Sequence, residues 1–213
     1  MKLKFMEKNL RMPIYIDLGF GFRLNKRKFE KYIVEIRIHI YNSMKNSKSG
    51  DRVMIKEIKR EDIPECVSVI RTSFKTVADE FRFTVENAPM FVAYSINEEK
   101  LYNQMDNEHR PMYAFYEQNK IIGYYSLQMQ ENSECELNNI SVLPEYRHQQ
   151  IGAKLLEHAF KTAKELGCVK MNIGIVEENQ KLRKWYEKWG FRHIGTKKYD
   201  WFPFTCGYLE KTL

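Results

Sequence analysis

From Val53 onward the apolar positions fall into short, well-marked periods. "VMIKEIK" alternates and reads as a strand. Asp62 and Pro64 then open a helix with Ile63, Val67, Ile70 and Phe74 on one face. "YAFYE" and "IIGYYSLQMQ" are two strands around the turn "QNK", and "CELNNISVL" is another. Ile151, Leu155, Leu156, Ala159 and Leu166 form the apolar stripe of a helix ended by Gly167. "VKMNIGIV" alternates Val169, Met171, Ile173 and Ile175 as a strand. Asn179 can cap the next helix, which carries Leu182, Trp185, Tyr186 and Trp189 and stops at Gly190. "FRHIGTKKY" and "TCGYLEKTL" close the chain as strands. This order predicts an α/β (mixed α+β) sandwich around one mixed sheet.

The first quarter differs. "YIVEIRIHI" sets Tyr32, Val34, Ile36, Ile38 and Ile40 on one face and Glu35, Arg37 and His39 on the other, an edge-strand pattern. "NSMKNSKSGDR" at 42–52 has linker composition. Residues 1–53 hold 13 Lys/Arg against 5 Asp/Glu, and the remainder holds 22 against 23. The overall charge of +7 therefore belongs to this segment, and a nucleic-acid-binding role for the whole protein loses its main support. Residues 1–53 are read as a basic N-terminal extension without an assigned role, and 54–213 as the working domain. The stretch "GDRVM" at 50–54 also admits a start at Met54, with the extension upstream of it.

Composition narrows the class further. At 43% hydrophobic and 14% aromatic residues, the chain can bury a real core. No apolar run approaches the roughly 20 residues that span a bilayer. The N-terminus has no uninterrupted apolar stretch with a small-residue cleavage site, so no signal peptide is expected. Cys66, Cys135, Cys168 and Cys206 form no CxxC pair, which suggests reduced thiols in a cytoplasmic protein. The histidines show no metal-ligand spacing, and no metal is expected.

The chemistry concentrates at 137–160. A strand ends near Leu143, Pro144 stops its pairing, and a polar turn leads into a helix. The first N–H groups of a helix lack partners and sit at its positive end, so an anion such as a pyrophosphate can be held largely by backbone. Gly152 would let such a ligand come close, and Arg147 would add a charged contact or brace the loop. Taken with the later segment "EENQKLRKWYEKWGF", the stretch "ELNNISVLPEYRHQQIGAKLLEHA" resembles the GNAT superfamily of acetyl-CoA-dependent N-acetyltransferases. The family's helix entry reads Q/R-x-x-G-x-G/A, here Arg147-His148-Gln149-Gln150-Ile151-Gly152. The resemblance covers roughly 53–213. Gln150 replaces the family's first glycine and is expected to start the helix with φ below zero.

The resemblance implies a mostly antiparallel sheet with a splayed strand pair and helices on both faces. It implies acetyl-CoA as co-substrate. Backbone of Ile140, Ser141 and Val142 would pair with its pantetheine arm, and N–H groups of His148, Gln149, Gln150, Ile151, Gly152 and Ala153 would hold the pyrophosphate. Asn179 would bond the arm or cap its helix. Tyr186 matches the tyrosine that approaches the sulfur and is the candidate general acid. Glu136, placed by alternation on one face with Asn138 and Ile140, is the candidate base. Glu134 or water are the alternatives, and Tyr186 and Glu136 each also have a plain reading, as core aromatic and solvated carboxylate. Cys135 and Cys168 read as core residues rather than nucleophiles.

The acceptor is the least legible part. Phe81, Phe83, Phe91, Tyr94, Trp201, Phe202 and Phe204 would line an apolar pocket or simply form core, with Asp79, Glu80 and Asp200 to attract a cation. The leading function is acetylation of a primary amine on a small molecule by direct attack. Acetylation of a protein or peptide is one alternative, and a non-catalytic acyl-CoA sensor is another. A homodimer is left open.

Overall fold

The computed structural model describes residues 54–213 and two short strands before them, β1 (Leu3–Phe5) and β2 (Ile14–Ile16). The chain divides into two units, Met1–Gly50 and Asp51–Leu213. In the first, β1 and β2 pair antiparallel, with Leu3 opposite Ile16. The alternating stretch at 32–40 and the linker-like stretch at 42–52 lie outside the described residues.

The second unit runs β3 (Met54–Glu57), α1 (Ile63–Phe81), α2 (Val92–Ser95), α3 (Glu98–Asp106), β4 (Met112–Glu117), β5 (Lys120–Met129), β6 (Glu134–Val142), α4 (Ile151–Glu165), β7 (Lys170–Val176), α5 (Gln180–Lys188), β8 (Arg192–Lys198) and β9 (Thr205–Thr212). The seven strands form one sheet in the order β3-β4-β5-β6-β7-β9-β8. Every pairing is antiparallel except β6 with β7. That parallel contact lasts three residues, Glu134–Glu136 against Lys170–Asn172, and then the two strands part.

The local devices explain the boundaries. β4 and β5 are joined by two residues, Gln118 and Asn119, both at positive φ (47° and 67°), the geometry of a tight hairpin. Lys120 already belongs to β5, not to the turn. Helix α4 ends as Cys168 N–H reaches back to Ala163 O (2.9 Å), with Gly167 left-handed at φ 82°. Leu166 is outside the expected apolar stripe: it caps the helix and stays exposed, since the chain has already turned away. Asn179 caps α5 by accepting the Leu182 N–H at 3.0 Å. Helices α2 and α3 are additions to the pattern read from periodicity. The signal for α3 was Asn97, which accepts the Lys100 N–H at 2.8 Å and is followed by Glu98 and Glu99 in the first turn.

Register assigns the layers. On one face of the sheet, Leu155 of α4 approaches Gly123, and Tyr125 bonds His158 at 2.7 Å. On the other, α1 covers Tyr124, Ser126 and their cross-strand partners Ser141 and Asn138. The main core gathers Ile63, Ile70, Phe115, Ile122, Leu127, Leu155, Met171 and Leu209, all nearly inaccessible. A second cluster of Ala78, Phe83, Phe91, Val176 and Phe204 packs where α1 ends. No helix among the described residues is long and apolar enough to cross a membrane.

Candidate active site

β6 carries the decisive irregularity. Tyr124 pairs with Ser141, yet Ser126 pairs with Asn138, so β6 spends one residue more than β5 over this span. Asn139 absorbs it at φ 52°, a bulge in mid-strand. The bulge reverses the alternation beyond it. Glu136 and Asn138 share their face with Ser141, and Ile140 turns to the other one, contrary to the expectation from simple alternation. From Leu137 to Val142 the edge of β6 that faces β7 has no strand partner among the described residues, because β7 has already diverged. Ile140, Ser141 and Val142 therefore present backbone to an open slot. The Ser141 hydroxyl is buried without a hydrogen-bond partner among the described residues.

The loop that follows is braced from within. Arg147 donates to Val142 O (3.2 Å), Thr76 Oγ1 (2.9 Å) and Ser73 O (3.0 Å), tying the end of β6 to α1. Its guanidinium is spent on this brace, and burial lowers its pKa. His148 and Gln150 are both left-handed, at φ 64° and 62°. Gln150 thus starts α4 with positive φ, not negative, and its side chain caps nothing. The backbone keeps the conformation a glycine would adopt, because the loop's closure demands it. Among the described residues, none accepts a hydrogen bond from the N–H groups of His148, Gln149, Gln150, Ile151, Gly152 or Ala153; the first helical bond runs from Lys154 N–H to Gln150 O at 3.0 Å. These donors, in a left-handed turn at a helix start, form an anion-binding concavity. Gly152 is not required by the protein itself: a Cβ there would sit 3.9 Å from Trp185 and Val142, ordinary contact. The residues present therefore fit a pyrophosphate carried on a long arm.

The two ionisable groups expected to act here, Tyr186 and Glu136, have different surroundings. Tyr186 lies on α5, buried against Trp185 and Phe191 at ring distances of 4.9 and 5.5 Å. Burial pushes its phenol well above the ordinary value. Glu136 lies across the sheet, where Gln130 Nε2 donates to it at 3.2 Å. Burial raises its carboxyl, with nearby Arg110 opposing weakly. It takes part in no ion pair among the described residues. Glu134 is held instead by Lys170 (2.8 Å) and Asn172 (2.8 Å), which lower its pKa. The Asn179 carbonyl oxygen is used by its helix. Cys135 and Cys168 are buried, and burial raises the Cys135 thiol. No group of metal-ligating side chains occurs among the described residues.

The aromatic residues expected around the acceptor divide. Phe83, Phe91 and Phe204 pack ring on ring at 4.9 to 5.8 Å, with Phe202 stacked on Phe204 at 4.6 Å; they fill their own interior. Tyr94 donates to Phe83 O at 2.7 Å, and Trp201 is 60% exposed. Asp79 pairs with Lys75 and Glu80 with Lys181. Sequence reasoning missed Tyr208, Tyr199 and Arg110. Tyr208 follows Gly174 across the sheet, on the face of Glu136, and only strand register shows it.

In sequence and in fold, the chain is similar to one set of known proteins. The acetyltransferase (GNAT) family model matches residues 76–191. The chain belongs to the GNAT family of N-acetyltransferases. It is 24% identical to the spermidine N(1)-acetyltransferase of Thermoplasma acidophilum over 144 residues, 66% of this chain and 88% of that one. It is 25% identical to the thialysine N-epsilon-acetyltransferase of Sus scrofa over 160 residues, 71% and 91% of the two chains. The crystal structure of the PaiA N-acetyltransferase of Thermoplasma acidophilum in complex with coenzyme A superposes with a TM-score of 0.64 at 22% identity, covering 76% of this chain and 99% of that one.

Proposed function

We propose that this acetyltransferase moves the acetyl group of acetyl-CoA to a primary amine of a small molecule by direct attack. The observation that carries the reading is the run of six unpartnered N–H groups at 148–153 beside the unpaired edge of β6. The first would hold the pyrophosphate of the co-substrate, and Ile140, Ser141 and Val142 its pantetheine arm. The named relatives, which act on spermidine and thialysine, support a small amine as acceptor.

The acceptor must lose a proton before its nitrogen can attack. Glu136, free of any cation partner and raised by burial, is suited to take it directly or through water. A backbone N–H near Ile140, on the stretch of β6 that β7 leaves uncovered, would stabilise the oxyanion. Tyr186 stays protonated at neutral pH and is the donor for the departing sulfur. Its raised pKa makes the transfer less favourable than from an ordinary phenol, but a thiolate out of water becomes more basic for the same reason.

Calorimetric titration of acetyl-CoA, then amine assays with thiol-release detection, test the reading. Binding in the micromolar range is expected. Tyr186→Phe should lower turnover at least tenfold with nearly unchanged affinity for acetyl-CoA. Equal turnover in that variant would remove Tyr186 as the acid. Binding without turnover of any amine would favour the acyl-CoA sensor.

A further inference from the structure

On the face of the sheet that bears Glu136, β7 presents Asn172, Gly174 and Val176, and β9 presents Glu210, Tyr208 and Cys206 opposite them. At Gly174 this row has no side chain. A Cβ built there meets nothing within 4 Å, so a recess one residue wide stands open between Asn172 and Val176. Tyr208 is the cross-strand neighbour of Gly174 and forms one wall. Its hydroxyl bonds that of Tyr199 at 3.0 Å, and Tyr199 is backed by the Trp201 ring at 5.0 Å. Glu136 borders the recess from β6 through its register with Asn172. Register places it one strand over from the Asn172–Gly174 segment that Tyr208 pairs with, and its charge raises the Tyr208 phenol.

The charges around the recess are unequal. Glu134 is engaged by Lys170, and Glu210 by Lys170 and Arg192. Glu136 alone of these three carboxylates carries no cation. The recess therefore offers one carboxylate that is in no ion pair, with Arg110 acting on it only at a distance, and the faces and edges of phenol rings, a setting that favours a single ammonium with an apolar stem.

Building on the acetyltransferase reading above, we infer that the acceptor amine enters over Gly174, with its nitrogen between the Glu136 carboxylate and the Tyr208 hydroxyl. The acceptor class is a primary amine on an unbranched carbon, because the side chains of Asn172 and Val176 leave room for one chain between them. Tyr208 is a positioning residue, held in place by Tyr199. The bound ammonium first gives one proton to Glu136; the neutral nitrogen forms its bond to the acetyl carbon, the carbon–sulfur bond breaks, the departing thiolate takes the Tyr186 proton, and the second nitrogen proton returns to Tyr186 through water.

The test measures initial rates on the full chain with n-butylamine, spermidine and thialysine. Tyr208→Phe should raise the acceptor KM at least fivefold for each amine turned over, with kcat within about twofold and acetyl-CoA affinity unchanged. Gly174→Val fills the recess with a residue suited to a strand and should raise the acceptor KM at least twentyfold without lowering Tm. Acceptor KM values unchanged in both variants would overturn the inference while leaving the acetyltransferase reading intact. No turnover of any of the three amines by the unaltered protein, with acetyl-CoA bound, would overturn that reading and this inference with it.

Discussion

Glu134 and Glu136 stand two residues apart on one strand, yet their surroundings treat them oppositely. Lys170 and Asn172 stabilise the charged form of Glu134, so its proton leaves at lower pH than usual and it makes a poor base. Burial disfavours the charged form of Glu136, so its carboxyl titrates above the ordinary value of about 4.3. Two consequences follow. The acid limb of the rate profile should lie above that of an unperturbed glutamate, because Glu136 must be ionised to accept a proton. Arg110→Gln should move that limb higher still, since Arg110 favours the ionised form. The second consequence concerns stability. A carboxyl with its folded pKa above its unfolded one binds its proton more tightly when folded, so its penalty grows as pH rises through the folded value. Glu136→Gln removes that penalty at neutral pH. Turnover should fall at least tenfold while Tm from calorimetry stays level or rises. A fall in Tm equal to that of an ordinary core lesion would mean that Glu136 is structural.

At the scale of elements, the entry to α4 shows where local sequence stops deciding. The helix itself was legible from Ile151, Leu155, Leu156 and Ala159, and its end from Gly167, because period and cap are local properties. The sign of φ at Gln150 was not, because the route from β6 to α4, clamped by Arg147 onto α1, imposes it. The same holds for the bulge at Asn139, which exchanged Ile140 for Ser141 on the face that bears Glu136, and for the aromatic residues at the end of α1, whose mutual packing depends on distant segments. The loop proposed to hold the co-substrate was thus readable as a motif, and the proposed acceptor side, assembled by register between β6, β7 and β9, was not. A left-handed conformation costs a residue with a side chain roughly 1–2 kcal/mol, partly offset for glycine by its greater freedom in the unfolded chain. Gln150→Gly should therefore stabilise the protein by about 0.5–1 kcal/mol in denaturant titrations. It should leave acetyl-CoA binding intact or tighter. A large loss of affinity would show that the glutamine side chain holds the co-substrate directly.

At the scale of the molecule, the charge division separates two questions that net charge would merge. Every residue assigned to the site, from Ser73 and Thr76 beneath the loop to Tyr208 on β9, belongs to the unit Asp51–Leu213, whose own charges nearly balance. The excess of basic residues lies in 1–53. Co-substrate binding by the 148–153 backbone draws on a helix end and local donors, and these fields fade within about 8–10 Å at moderate salt. A chain starting at Asp51 should then bind acetyl-CoA with a Kd within about twofold of the full chain, at both 50 and 200 mM salt. A tenfold weaker Kd would assign the basic segment a direct part in holding the phosphates. Weak, strongly salt-dependent association of the full chain with duplex DNA, lost in the shorter chain, would place any nucleic-acid contact in residues 1–53 and leave the transferase site untouched.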